Sequence, residues 1–365
     1  MLADRFGGDD EEQTGSITPH SGWRSSRPRE TPYMTKGLFF AASLVSLALS
    51  PVLPRHSGLV RSTESAPARG GVTAHPAPPD SLTVILLGTG VGPVVNLQQF
   101  GASILVEAGS ERFLFDCGRG ATMRLTQAGV PIGTISRLFL THLHSDHVIQ
   151  IPDLVLTGWA GGRRTIPLEV WGPDGTRNMM DHIQQAFAFD IHMRRDVDEK
   201  LPAAGIQVVS HDITQGIVFD EHGVKVTAFV VDHGPVRPAL GYRVDYRGRS
   251  VVMSGDTRVS ENLIRFAQGV DVLIHEGIDP DALRNRADHP NPAAIDAIIA
   301  HHTTAEEAGH VFSRVKPRLA VYSHAPNSER MISQTRKSYA GPLQGAEDLL
   351  TIVIGEKIEV RHSAP

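Results

Sequence analysis

The chain has almost no cysteine. Cys117 stands alone among 365 residues, which excludes an internal disulfide framework and any Cys-rich zinc site. Aromatic residues are sparse, at 6%. Neither charge sign dominates: 35 Lys+Arg face 40 Asp+Glu, for a net charge of -5. That balance excludes an acidic-tail protein or a disordered polyelectrolyte. It also argues against a general nucleic-acid binder, whose surface would be basic. No apolar run reaches the roughly 20 residues that a membrane-spanning helix needs. What the chain does have is histidine, 18 residues of it, and imidazole points first to metal binding.

Composition divides the chain into a leader, 1–80, and a folded domain, 81–365. The leader is rich in Pro, Gly, Ser, Thr and Arg, has an acidic run from Asp9 to Glu12, and lacks a sustained amphipathic period. Such a segment cannot bury enough apolar surface to offset its chain entropy. One stretch breaks the pattern. Met34-Thr35-Lys36 precedes an apolar run from Gly37 to about Val52, the layout of a signal peptide over 34–53 that would start at Met34. The expectation is an exported protein, periplasmic or secreted, with no membrane association beyond an uncleaved N-terminal anchor.

In the domain, Thr83–Leu87 reads as a buried strand ending in Gly88-Thr89-Gly90. Strands follow at Ala102–Val106, Phe113–Phe115, Arg137–Leu140 and Leu168–Trp171, with helices at Ala121–Ala128, near Ile149–Leu156 and at Thr176–Ala186. Residues 208–254 are strand-rich. Strands and helices then alternate through Val270–Ile274, Pro292–Ala300, Ala305–Val315 and Leu319–Tyr322. Hairpin-rich and helix-alternating sections thus occur twice, which suits two packed sheets with helices outside.

The chemistry concentrates in short segments. His142-Leu143-His144-Ser145-Asp146-His147 follows a strand directly. Residues i and i+2 leaving a strand point the same way, so His142 and His144 converge, and Asp146 and His147 can face a second point as the chain turns.

The run Thr141–His147 resembles the signature of the metallo-β-lactamase superfamily of dinuclear metallohydrolases. Three more segments match the pattern: Val231-Asp232-His233-Gly234-Pro235, Ser254-Gly255-Asp256-Thr257 and Tyr322-Ser323-His324. The resemblance implies an α+β domain, a four-layer αββα sandwich of two mixed sheets with helices outside. It implies that His142, His144 and His233 hold one metal, that Asp146, His147 and His324 hold a second, and that Asp256 bridges them. Imidazoles and carboxylates suit two Zn²⁺, with Mn²⁺ or Fe as alternatives. Two such ions, two aspartates and a bridging hydroxide leave a charge of about +1 facing the substrate, which favours an anionic ester attacked by that hydroxide.

Within the superfamily, Leu87-Gly88-Thr89-Gly90, Phe115-Asp116-Cys117-Gly118-Arg119-Gly120, His275-Glu276-Gly277 and His302-Thr303-Thr304 resemble the ribonuclease Z and arylsulfatase-like branch. That resemblance implies catalytic roles for Glu276 and His302, a carboxylate-poised imidazole that protonates a leaving alkoxide or clamps an oxygen, and for Asp146 in orienting water. Ribonuclease Z enzymes grip transfer RNA with a long arm inserted between the segments of the third His and the bridging Asp. Here Gly241–Val251 runs straight through as one hairpin. The first expectation is therefore an aryl sulfate or phosphodiester hydrolase acting on a small anionic ester, with no specific nucleic acid partner. A ribonuclease Z-like phosphodiesterase or endonuclease is the alternative, and a lactonase or other carboxylic ester hydrolase the second alternative. By analogy with such enzymes the chain could be a homodimer. Trp159, Trp171, Phe187 and Phe189 are expected as pocket walls.

Overall fold

A computed structural model describes residues 80–285 and 291–362. The leader, including the expected signal peptide at 34–53, lies outside the described residues, as does His289. Among the described residues no helix is long and apolar enough to cross a membrane.

The chain begins with an antiparallel meander, β1 (Leu82–Gly88), β2 (Ser103–Ala108) and β3 (Glu111–Phe115). Three parallel strands then extend it: β4 (Arg137–Phe139), β5 (Leu168–Gly172) and β6 (Val208–Asp212). Parallel neighbours need crossovers. Helices fill them: α1 (Ala121–Gln127) before β4; α2 (Ser145–Val148) and α3 (Ile151–Ala160) before β5; α4 (Thr176–Ala186) and α5 (Ala188–His192) before β6.

The second sheet repeats this plan. β7 (Gly216–Glu221), β8 (Val224–His233), β9 (Val236–Tyr246) and β10 (Arg249–Met253) form an antiparallel meander. β11 (Val272–His275), β12 (Leu319–Tyr322) and β13 (Leu343–Gln344) continue in parallel. α6 (Glu261–Phe266), α7 (Pro280–Arg284), α8 (Pro292–Ile299), α9 (Ala305–Val315) and α10 (Glu329–Thr335) supply the crossovers. A final hairpin, β14 (Leu350–Ile354) and β15 (Ile358–Arg361), returns to the first sheet beside β1.

Both faces of each sheet are covered at its centre, so central strands such as β1 and β12 are apolar on both sides. In β1, Leu82, Val84 and Leu86 enter the layer between the sheets, with Val226, Tyr242 and Val251 opposite. Ile85 and Leu87 face the other way, onto Leu125, Leu154 and Trp159 of the helices. On the far side, Leu273, Ala320 and Tyr322 pack against Leu263, Val311 and Phe312. These are the four layers of an αββα sandwich, as the sequence predicts.

Trp171 belongs to the inter-sheet core, stacked on Phe139 with centroids 4.7 Å apart. Trp159 is buried in the helical layer and donates Nε1 to Pro202 O. Phe187 and Phe189 sit at the exposed junction of α4 and α5. None of the four lines the depressions beside the histidine cluster: the two tryptophans are core and the two phenylalanines are surface residues away from it. The turn between β9 and β10 is Arg247-Gly248, so no arm separates His233 from Asp256.

Candidate metal centre

The carboxyl ends of β3, β4, β8, β10, β11 and β12 meet at one edge of the sandwich. In parallel sheets that edge is where ligands bind. Register places the groups there: Phe115 pairs with Phe139, Met253 with Ile274, and His275 with Tyr322. Asp116, Thr141, Asp256, Glu276 and His324 therefore emerge side by side. Tyr242 ties the two sheets at this edge by donating its hydroxyl to Leu140 O at 2.7 Å.

His142, His144 and His233 converge, as do Asp146, His147 and His324, each set with its nitrogens and oxygens within 4.8 Å of one another. Asp256 stands between the sets. Its Oδ2 is 3.9 Å from both His142 Nε2 and His233 Nε2, and 3.3 Å from His324 Nε2. Its Oδ1 is 3.4 Å from His147 Nε2. All seven residues expected as ligands from the sequence are thus brought to one place.

Each buried imidazole of the cluster has its Nδ1 tied to the protein, and in three of them Nε2 is bare. Thr141 Oγ1 donates its single proton to Asp116 Oδ2 at 2.8 Å, so His142 Nδ1, at 3.0 Å from that hydroxyl, must be the donor to it. His147 Nδ1 gives its proton to Asp116 Oδ2 at 2.8 Å, His233 Nδ1 to His301 O at 2.9 Å, and His324 Nδ1 to Gly90 O at 2.8 Å. The Nε2 atoms of His142, His147 and His233, and Oδ1 of Asp256, are buried with no hydrogen-bond partner. Buried polar atoms are rarely left so, and four around one point fit divalent cations. His144 is the exposed member of the set.

The backbone is bent to achieve this. Asp116 and His324 hold left-handed φ values of 56° and 49°, a costly conformation for a residue with a Cβ. Gly255 has φ 60°, and a Cβ there would lie 2.5 Å from Leu240 O, so only glycine lets the strand turn into Asp256.

Electrostatics divides the imidazoles. Burial, with His147 adding to it, holds His142 well below its ordinary value. Burial lowers His144, and it brings His233 down to about 4. These three present neutral lone pairs. For His147 and His324, burial opposes the cation, but Asp256 with Asp116, or with Asp146, outweighs it and raises them.

Glu276 follows β11, and Oε1 accepts from Thr257 N at 3.2 Å and Thr303 N at 2.9 Å. His302 precedes Thr304, whose capping box with Glu307 fixes the start of α9. Its Nδ1 is 3.3 Å from Glu276 Oε1 and 3.9 Å from Asp256 Oδ2. Burial disfavours a cation there, yet Glu276 and Asp256 together push His302 up to about 9. The expected pair is assembled beside the cluster.

Sequence reasoning gave no role to Asp116, which here holds both His147 and Thr141, and weighed His301 only as a competitor of His302 or a supporting residue, where its carbonyl in fact orients His233. A carboxylate one residue past a strand, before a small-residue turn, was the available signal for Asp116. Cys117, next to it, is fully buried and its thiol is pushed up by burial and the nearby Asp153, so it stays inert. Other histidines serve local contacts: His222 pairs with Glu111, His192 with Asp196 and His362 with Glu347.

Comparison with known proteins bears on the family and the fold. Residues 111–325 match the model of the β-lactamase superfamily domain. The chain is 36% identical over 244 residues to the ribonuclease Z of Mycobacterium sp. strain KMS, covering 67% of this chain and 84% of that protein. It is 35% identical over 278 residues to the ribonuclease Z of Mycobacterium avium strain 104, covering 73% and 96%. The fold is similar to the metallo-β-lactamase fold protein YhfI from Bacillus subtilis, with a TM-score of 0.59 at 19% identity over 75% of this chain and 100% of that one. It is likewise similar to the short form of human tRNase Z, with a TM-score of 0.56 at 23% identity over 75% of this chain and 99% of that one.

Proposed function

The chain belongs to the metallo-β-lactamase superfamily of hydrolases, among relatives of ribonuclease Z, and on that premise we propose that it is a ribonuclease Z-like phosphodiesterase. The observation that carries this reading is the Glu276–His302 pair, 3.3 Å apart, beside the Asp256 cluster. A phosphodiester has an alkoxide leaving group that needs a proton, and His302, held protonated by two carboxylates, can deliver one. The aryl sulfate expected first has no support among the relatives, whose names favour the phosphodiester alternative.

His142, His144 and His233 would hold one divalent cation, and Asp146, His147 and His324 a second, with Asp256 shared. Zn²⁺ suits this donor set best. Bound there, the cations supply Lewis acidity and a water deprotonated near neutral pH. The protein's own part is to fix imidazole tautomers through Asp116, Thr141, His301 and Gly90, to orient the attacking water with Asp146, and to hold a proton on His302. Without an arm between His233 and Asp256 there is no handle for a folded RNA, so the substrate would be an accessible phosphodiester.

The test is a panel of bis(p-nitrophenyl) phosphate, a dinucleotide, p-nitrophenyl sulfate and a lactone, assayed with added Zn²⁺ or Mn²⁺. Turnover of both phosphodiesters is expected. Preference for the sulfate or the lactone would overturn the substrate class.

A further inference from the structure

A shallow, open depression lies beside Asp146, between the loop that follows β1 and the turn at α2. Val91, Val94 and Ile149 line its sides, and Arg119 and Ser145 reach its edge. Its position is set by tight backbone packing: a Cβ on Gly101 would lie 2.5 Å from Arg119 N and 3.2 Å from Asp146 O. The loop is clamped at both ends by Asp348, which accepts from Thr89 N at 2.8 Å and Phe100 N at 2.7 Å. Arg119 is exposed, and among the described residues neither its guanidinium nor the Ser145 hydroxyl has a hydrogen-bond or ion-pair partner. Other arginines nearby are engaged. Arg124 pairs with Asp348 at 2.8 Å and lies over the Phe100 ring.

We propose that Arg119 is a substrate-binding residue that pairs with the non-reacting phosphate of the nucleotide next to the scissile bond, with its base against Val91, Val94 and Ile149. This rests on the phosphodiesterase reading and deepens it. Asp146 belongs both to the metal-binding set and to the wall of the depression, so a nucleotide joined to the reacting phosphate is within reach of the depression. Apolar side walls suit the face of a base and disfavour a hydrated ionic chain. A free guanidinium at the edge favours a phosphate, which it can hold by paired N–H donors, and Ser145 can add a third.

Calorimetric titration of the zinc-loaded protein with adenosine 3′,5′-bisphosphate and adenosine 5′-monophosphate tests this. The second phosphate should tighten binding about tenfold, Arg119→Ala should remove that gain, and Arg119→Lys should keep part of it. Equal binding of the two ligands by the wild type, or a gain that survives Arg119→Ala, would overturn the proposal. Among the described residues the exposed Arg119 side chain makes no hydrogen bond or ion pair, so the variant should fold, and circular dichroism verifies it. Failure of the phosphodiester panel would remove the proposed activity while leaving the bisphosphate titration to decide on Arg119.

Discussion

Around Asp256, His142, His147, His233 and His324 each have one ring nitrogen fixed by a protein oxygen, and the other nitrogen of the first three is left bare. The loop 91–98 is built the opposite way. Val94, Val95 and Leu97 are exposed, and a bond from Gln98 N to Asn96 Oδ1 is its local support. The cluster stores unsatisfied polarity in a rigid frame, whereas the loop shows apolar surface on a compliant one. The contrast teaches where each kind of function can sit. Donors for a cation must be placed to within tenths of an ångström, which demands burial and second contacts. Contacts to a variable substrate tolerate looser support and gather at the rim.

The comparison breaks most easily at Asp256, the one carboxylate near both sets. Asp256→Ala should lower kcat/KM on the order of 10³-fold, and metal analysis should show fewer ions per chain. Full activity and full metal content would mean that the two sets act separately. His302→Ala should cost about 10²-fold with metal content unchanged. The loss should be larger for a dinucleotide than for bis(p-nitrophenyl) phosphate, whose nitrophenolate leaves without a proton. Equal losses would reduce His302 to a structural part. Asp116→Asn should weaken metal binding about 10- to 100-fold, because His147 and Thr141 both depend on that carboxylate, and excess metal should restore turnover. Unchanged affinity in a chelator competition would show that Asp116 serves only the turn.

The same contrast explains what the sequence made legible. The run His142–His147 is local, so its spacing after a strand already encodes convergence. His233, Asp256 and His324 were found through the family resemblance, and the apolar strand that each one follows agreed with it. The αββα order followed from a repeated alternation of hairpins and helices. Asp116 stayed unread because its role depends on register, Phe115 against Phe139, which places it beside Thr141. The aromatic residues misled because a ring shows equal affinity for core and pocket, and only packing assigns it. Arg119 is informative by its lack of partners, a property that appears only when the surrounding carboxylates have all been placed.

Removing the metal should make the cluster's stability depend on pH in a definite direction. In the metal-free protein His302 is pushed up to about 9, above its unfolded value of about 6.5. A raised folded value means that the protonated imidazole stabilises the fold fully below pH 6.5 or so and is lost as pH rises through about 9. His147 and His324 are raised as well and add in the same direction. Chelated protein should therefore lose denaturant resistance between pH 6.5 and 9, and His302→Ala should flatten that slope. Loaded protein should instead weaken toward acid, where protons compete for the ligands. A chelated protein whose midpoint rises with pH would refute the charge arrangement around Asp256.

The smallest effect belongs at the tip of the loop. Leu97 is 83% exposed, so a polar replacement there removes little buried apolar area. The loop ends are held elsewhere, through Asp348 and through Gln99, whose Nε2 donates to Thr89 Oγ1 at 3.0 Å and Ala325 O at 3.2 Å. Leu97→Ser should thus change unfolding free energy by no more than about 0.5 kcal/mol. It should also leave turnover of bis(p-nitrophenyl) phosphate unaltered, since Leu97 does not line the depression beside Asp146. The measurement is a urea midpoint together with a rate on that minimal substrate. A loss of stability beyond 1 kcal/mol or so would mean that the loop tip is packed in solution and that the contrast between a rigid centre and a compliant rim is wrong.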